Sequence, residues 1–129
     1  MSRSPMLIAP MLILVAGPYR SHTGDDPAKI AANLRQMNEA ALALFRRGHI
    51  PLTGEALALP LIALAGSQRI GDAAFEAIFH PLAERLVARC DACWRIGGPS
   101  VGADQMVALA TANHRRVFHR LDDIPDLAA

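Results

Sequence analysis

The clearest pattern in the chain is an unbroken apolar run, Met11 to Ala16, closed by Gly17-Pro18. A short run without alternation predicts a strand buried on both faces, as in a parallel sheet. A polar loop, residues 19–26, follows it. Asp26-Pro27 then predicts a helix start, with Asp as N-cap and Pro in the first turn. Ile30, Leu34, Met37, Ala41 and Leu44 recur at helical spacing, and Lys29, Arg35, Gln36 and Glu39 fall largely on the other side. Arg46-Arg47 suit the negative end of the helix dipole, and Gly48 ends the helix.

The remainder alternates in the same way. His49 to Leu52 predicts a second strand, joined to the first by a right-handed crossover. Residues 53–71 are rich in Ala and Leu and broken by Gly54, Pro60 and Gly66, which predicts a short helix flanked by loops. Residues 72–89 predict a long helix with Phe75, Ile78 or Phe79, Leu82 and Leu86 as its apolar stripe. Pro81 should kink this helix or mark its true first turn. Ala92 to Ile96 predicts a third strand, residues 103–113 a helix and Arg116 to His119 a fourth strand. Strands alternating with helices imply a Rossmann-like (flavodoxin-like) α/β three-layer sandwich around a small parallel sheet of about four to five strands.

Composition narrows this picture. A chain of 129 residues suits one domain, with residues 1–10 and 123–129 expected to be peripheral. Thirteen basic against twelve acidic side chains leave no cationic excess for coating a nucleic acid, so none is expected as a partner. The longest apolar run is far short of the roughly 20 residues a membrane helix needs, and the first ten residues make no convincing signal peptide. The expectation is a soluble, cytoplasmic protein. Mean hydropathy is +0.22 while aromatic residues make up only 5%, so a second subunit is expected to cover some of the apolar surface.

Chemistry is sought beyond the carboxyl ends of the strands, where open parallel sheets bind ligands. Two loops leave such ends: Gly17-Pro18-Tyr19-Arg20, and the glycine-rich stretch from Gly97 to Gly102 that runs into a helix. The second can be an anion site built from free amides, a serine hydroxyl and a helix dipole, or a plain turn with Ser100 as cap. Cys90 and Cys93 form a C-x-x-C, but a helix leads into a strand there, the reverse of the redox arrangement. They are expected to be packed, reduced thiols. No His pair has metal spacing, and neither metal nor cofactor is expected. His22 can meet a phosphate or lie in solvent, and Trp94 is expected in the core.

Taken together, Leu12-Ile-Leu-Val-Ala-Gly-Pro-Tyr-Arg20, Asn33, Gly48-His-Ile-Pro51, Cys90-Asp-Ala-Cys-Trp-Arg95 and Gly98-Pro-Ser-Val-Gly-Ala103 resemble the nucleoside 2-deoxyribosyltransferase-like superfamily. The likeness lies closest to its small members that carry Gly-Pro-Tyr-Arg, and it spans residues 11 to about 125. It implies a nucleoside or nucleoside 5′-monophosphate ligand and N-glycosidase or deoxyribosyltransferase chemistry. It further implies that Gly17, Tyr19 and Arg20 line the pocket, that Gly98, Ser100 and Gly102 hold the anion, and that a homodimer or larger homo-oligomer forms.

One departure bears on catalysis. The superfamily's nucleophilic glutamate follows a Ser-x-Gly-x-x-x-Glu pattern, and counting from Ser100 puts Met106 there. A thioether cannot attack an anomeric carbon through an oxocarbenium-like transition state. Two carboxylates can stand in. Asp104 lies two residues earlier, about 200° around a helix, and reads equally as a hydroxyl acceptor or as a first-turn residue favourable to the dipole. Glu55 follows strand two on the ligand side, or is a helix-start glutamate beside Thr53. Asp25 is free to meet a sugar hydroxyl. If neither carboxylate reacts, the alternative is a non-catalytic nucleotide-binding or sensing module.

Overall fold

The computed structural model describes residues 9–128; the expectation for the first ten residues falls mostly outside them. Four strands, β1 (Leu12–Ala16), β2 (Ile50–Thr53), β3 (Ala92–Arg95) and β4 (Arg116–Phe118), form one parallel sheet in the order β2-β1-β3-β4. The helices are α1 (Pro27–Arg46), α2 (Gly54–Leu64), α3 (Ala73–Arg89) and α4 (Val101–Ala112). The expected three-layer α/β sandwich is therefore present, with four strands. Central β1 explains the unbroken apolar run. Ile13 and Val15 pack with Met37, Ala40 and Leu44 of α1, while Leu14 and Ala16 pack with Val87 of α3 and with Ala103, Met106 and Ala110 of α4.

Local chemistry sets the ends of the elements. Asp26 caps α1 by accepting from the Ala28 N–H, with Pro27 at the first position, and Gly48 leaves the helix at φ +93°, a left-handed turn that suits glycine. Thr53 is both the last residue of β2 and the N-cap of α2, its hydroxyl accepting from the Ala56 N–H at 3.1 Å. The helix expected somewhere in residues 53–71 therefore starts with no loop before it. Pro60 lies inside α2, and Pro81 lies well inside α3 rather than at its first turn. Asp72 caps α3 and also accepts from Ser67 Oγ and the Gln68 and Arg69 N–H groups. Those bonds hold its carboxyl far below the ordinary range and fix the α2–α3 turn.

The C-terminal segment corrects the expectation of a peripheral tail from 123. A 3₁₀ turn, Leu121–Asp123, delivers Ile124 into the core, where it is 1% exposed among the α1-side residues. The segment is tied down beyond that point. Arg47 donates to the Ile124 carbonyl at 3.0 Å, and the Leu127 N–H donates to the Arg47 carbonyl at 2.7 Å. Buried His49 accepts the Met11 N–H on Nδ1 at 3.1 Å, so its proton sits on Nε2 and is donated to the Pro125 carbonyl at 2.7 Å.

Cys90 and Cys93 are free and buried at the α3–β3 junction, and burial pushes the thiols up to about 11 and about 12. They are packed and protonated at neutral pH. Trp94 is in the core, as its sequence context implies, with its indole N–H buried and unpartnered. Among the described residues no helix is long and apolar enough to cross a membrane.

Candidate functional site

A cavity of about 390 Å³ opens at the carboxyl ends of β1 and β2, the position that parallel-sheet topology favours for ligands. Its size falls within the range of small-molecule pockets. The loop after β1 supplies Gly17, Tyr19, Arg20 and Asp25, the start of α2 supplies Glu55, and the start of α4 supplies Ser100 and Gly102. Seven of the nine residues singled out in the sequence thus meet around one space.

The other two do not. Asp104 is exposed on the far side of α4, 3.0 Å from Arg95 Nε, because two residues of helix turn it away from Met106, which does line the cavity. Its carboxylate completes a surface ion pair and cannot reach the cavity. Gly98 also lies outside: its carbonyl accepts from Arg95 Nη2 at 2.9 Å, folding the loop after β3 back onto its own strand. Ser100 is N-cap of α4, accepting from the Ala103 N–H at 3.2 Å, and its hydroxyl also bonds Ser21 Oγ at 3.0 Å.

Glu55 has the most unusual environment. Its side chain enters the cavity from the first turn of α2, only 6% of the residue is exposed, and it has no ion-pair partner among the described residues. Burial is the main cause that raises its carboxyl to about 7, offset in part by its own backbone N–H. Burial first, and the neighbouring Glu55 carboxylate second, push the Tyr19 phenol above its ordinary value. A carboxyl poised near neutrality at a cavity wall is the state acid–base and nucleophilic chemistry uses.

At the mouth, Arg20 makes a two-pronged pair with Asp25, 2.7 Å at Nε and 3.1 Å at Nη2, and lies 3.6 Å from Glu76 of α3. The guanidinium lies flat over Gly71, where an added Cβ would collide with it and where φ is +81°. Searches against protein-family models and curated proteins yield no match.

The sequence reading misses the wall that α3 contributes, which includes Phe75, Glu76, Phe79 and His80. Tyr19 stacks on Phe79 at 5.5 Å and Phe79 on Phe75 at 4.8 Å between ring centroids, a continuous aromatic wall. The signal was present as i, i+4 pairs (75/79 and 76/80) on one helix face. The periodicity of α3 assigns the phenylalanines to a core stripe, and only the packing of α3 against α2 shows that the stripe also borders a cavity.

Proposed function

We propose that the protein binds a nucleoside or nucleoside 5′-monophosphate in this cavity and cleaves or transfers its N-glycosidic bond through Glu55. The observation that carries the reading is Glu55 itself: a buried carboxyl without a counter-ion among the described residues, facing a ligand-sized space and raised to about 7. The aromatic wall suits a flat base, and Asp25 offers acceptor oxygens for sugar hydroxyls. Glu55 takes the role that the deoxyribosyltransferase resemblance gives to a glutamate at the position of Met106.

In this reading the ionised Glu55 oxygen bonds to the anomeric carbon as the C–N bond breaks. The electron pair leaves with the base, which takes a proton from solvent, and water or a second base then displaces the carboxylate. Turnover should rise as pH climbs through about 7, where Glu55 loses its proton. Chromatography of nucleosides and 5′-monophosphates incubated with the protein reports free base directly. Glu55→Gln should reduce its release by about 100-fold or more, and undiminished release would overturn the assignment.

Met106 favours a second reading, in which the pocket is kept as a binding or sensing module. Its thioether occupies the cavity wall where the resemblance expects the nucleophile. Ligand binding without any release of base would establish that reading over the catalytic one. A second copy of the chain, on the outward face of α2, is part of the same proposal.

A further inference from the structure

We infer that the cavity discriminates against phosphate: its ligand is the unphosphorylated, donor-rich form, a flat ring carrying N–H groups and a hydroxylated substituent. The inference rests on the nucleoside reading above and narrows it to one of the two ligand classes.

The charges around the space carry the argument. Among the described residues three carboxyl groups line it, on Asp25, Glu55 and Glu76, against a single guanidinium on Arg20. That guanidinium is already engaged by Asp25 on two nitrogens and lies beside Glu76. It cannot turn to an entering anion without giving up a charge-assisted pair. His80 also lines the space, its ring perpendicular to Phe79 with centroids 5.3 Å apart. A dianion would thus enter a space whose fixed charge is already negative.

The loop expected to hold an anion is in part folded onto the protein itself. Gly98 is turned outward by Arg95, and the Ser100 oxygen accepts from the Ala103 N–H and from Ser21 Oγ, which ties it into the helix cap. The cap at that helix end spends the Ala103 amide on the protein itself.

At its buried end the cavity presents a hydrogen-bond acceptor to a ligand. Glu55 is 6% exposed with no ion-pair partner among the described residues, and a buried acceptor of this kind gains most from an incoming N–H or O–H. A nucleobase edge and sugar hydroxyls supply such donors, and the stack of Tyr19, Phe79 and Phe75 offers the ring a face. A 5′-phosphate supplies only acceptors and charge.

Titration calorimetry of the full chain with adenosine, guanosine, cytidine and uridine, each paired with its 5′-monophosphate at low salt, tests this. At least one nucleoside should bind roughly threefold to tenfold tighter than its own monophosphate. Glu76→Gln, which removes a carboxylate from the mouth and loosens the hold on Arg20, should narrow that gap by strengthening monophosphate binding. Added salt should narrow it too, since the repulsion is partly exposed. If every nucleoside that binds is matched or exceeded by its own monophosphate, the inference is overturned and the nucleoside-type reading is left standing. A gap that Glu76→Gln leaves unchanged also overturns it, because the discrimination then comes from shape. Binding by neither class overturns both.

Discussion

Glu55 is costly to the fold, and the cost has a definite pH signature. Its carboxyl sits near 4.5 in an unfolded chain and at about 7 in the folded one. Between those values the folded protein keeps a proton that the unfolded chain has lost, so stability falls as pH rises across that window. A shift of this size corresponds to about 3 kcal/mol, lost by about pH 8 relative to about pH 4. Glu55→Gln removes the titrating group. Urea unfolding should show the variant gaining on the wild type by that amount as pH rises, with the two closest in acid. Parallel pH profiles would mean that water or a donor already solvates the carboxylate, and the case for a reactive Glu55 would go with it. By contrast, Asp104 lies exposed and paired with Arg95.

At the scale of elements, the C-terminal segment closes the α1 side of the sheet. Ile124 fills that core, and His49 joins the chain before β1 to the segment after the 3₁₀ turn. Ile124→Ala should cost about 2–5 kcal/mol by urea unfolding. His49→Leu should cost about 1–3 kcal/mol for each orphaned partner, the Met11 N–H and the Pro125 carbonyl. An effect under half a kcal/mol in both would show the segment to be dispensable. Neither residue announces this in sequence, since one isoleucine in a polar stretch and one histidine beside a strand have no periodicity to betray them. Where a boundary depends on adjacent residues it was legible: Asp26-Pro27 and Gly48 bound α1, and the run from Met11 locates β1. Helix α2 was blurred because it is apolar on both faces, so it shows no contrast between inside and outside. The cavity was half legible. Topology brings the β1 loop, Glu55 and Ser100 to one end of the sheet, but Gly98 is turned away by a hydrogen bond from Arg95, and the aromatic wall depends on how α3 packs.

For the whole molecule, that same two-sided helix bears on how copies of the chain assemble. Ala58 and Ile62 of α2 face inward with Glu55, the only charged residue of the helix. Leu57, Leu61 and Leu64 lie on the opposite side at i, i+4 and i+7, and all three are exposed, Leu64 to 86%. A surface helix without one outward charge is incomplete, and its outward face can meet its own two-fold image without setting like charges together. A leucine stripe alone falls short of the roughly 800 Å² per partner of a stable interface. Leu42 and Phe45 of α1 and Ile50 of β2 are also exposed, on elements that flank the same edge of the sheet. Pairing of two copies would bury these side chains together, in keeping with a mean hydropathy of +0.22 in a chain with few aromatic residues. A membrane surface fits less well, because α2 carries no Lys or Arg to meet lipid headgroups and no Trp. Sedimentation at about 50 μM, where even a micromolar dimer is populated, should therefore give twice the 13.8 kDa chain mass. Leu61→Arg combined with Leu64→Arg should return the chain to monomer with an unchanged far-ultraviolet dichroism spectrum, since both side chains already face outward. A wild type that sediments as a monomer at that concentration would leave α2 as an exposed apolar face, and the second-copy proposal would fall.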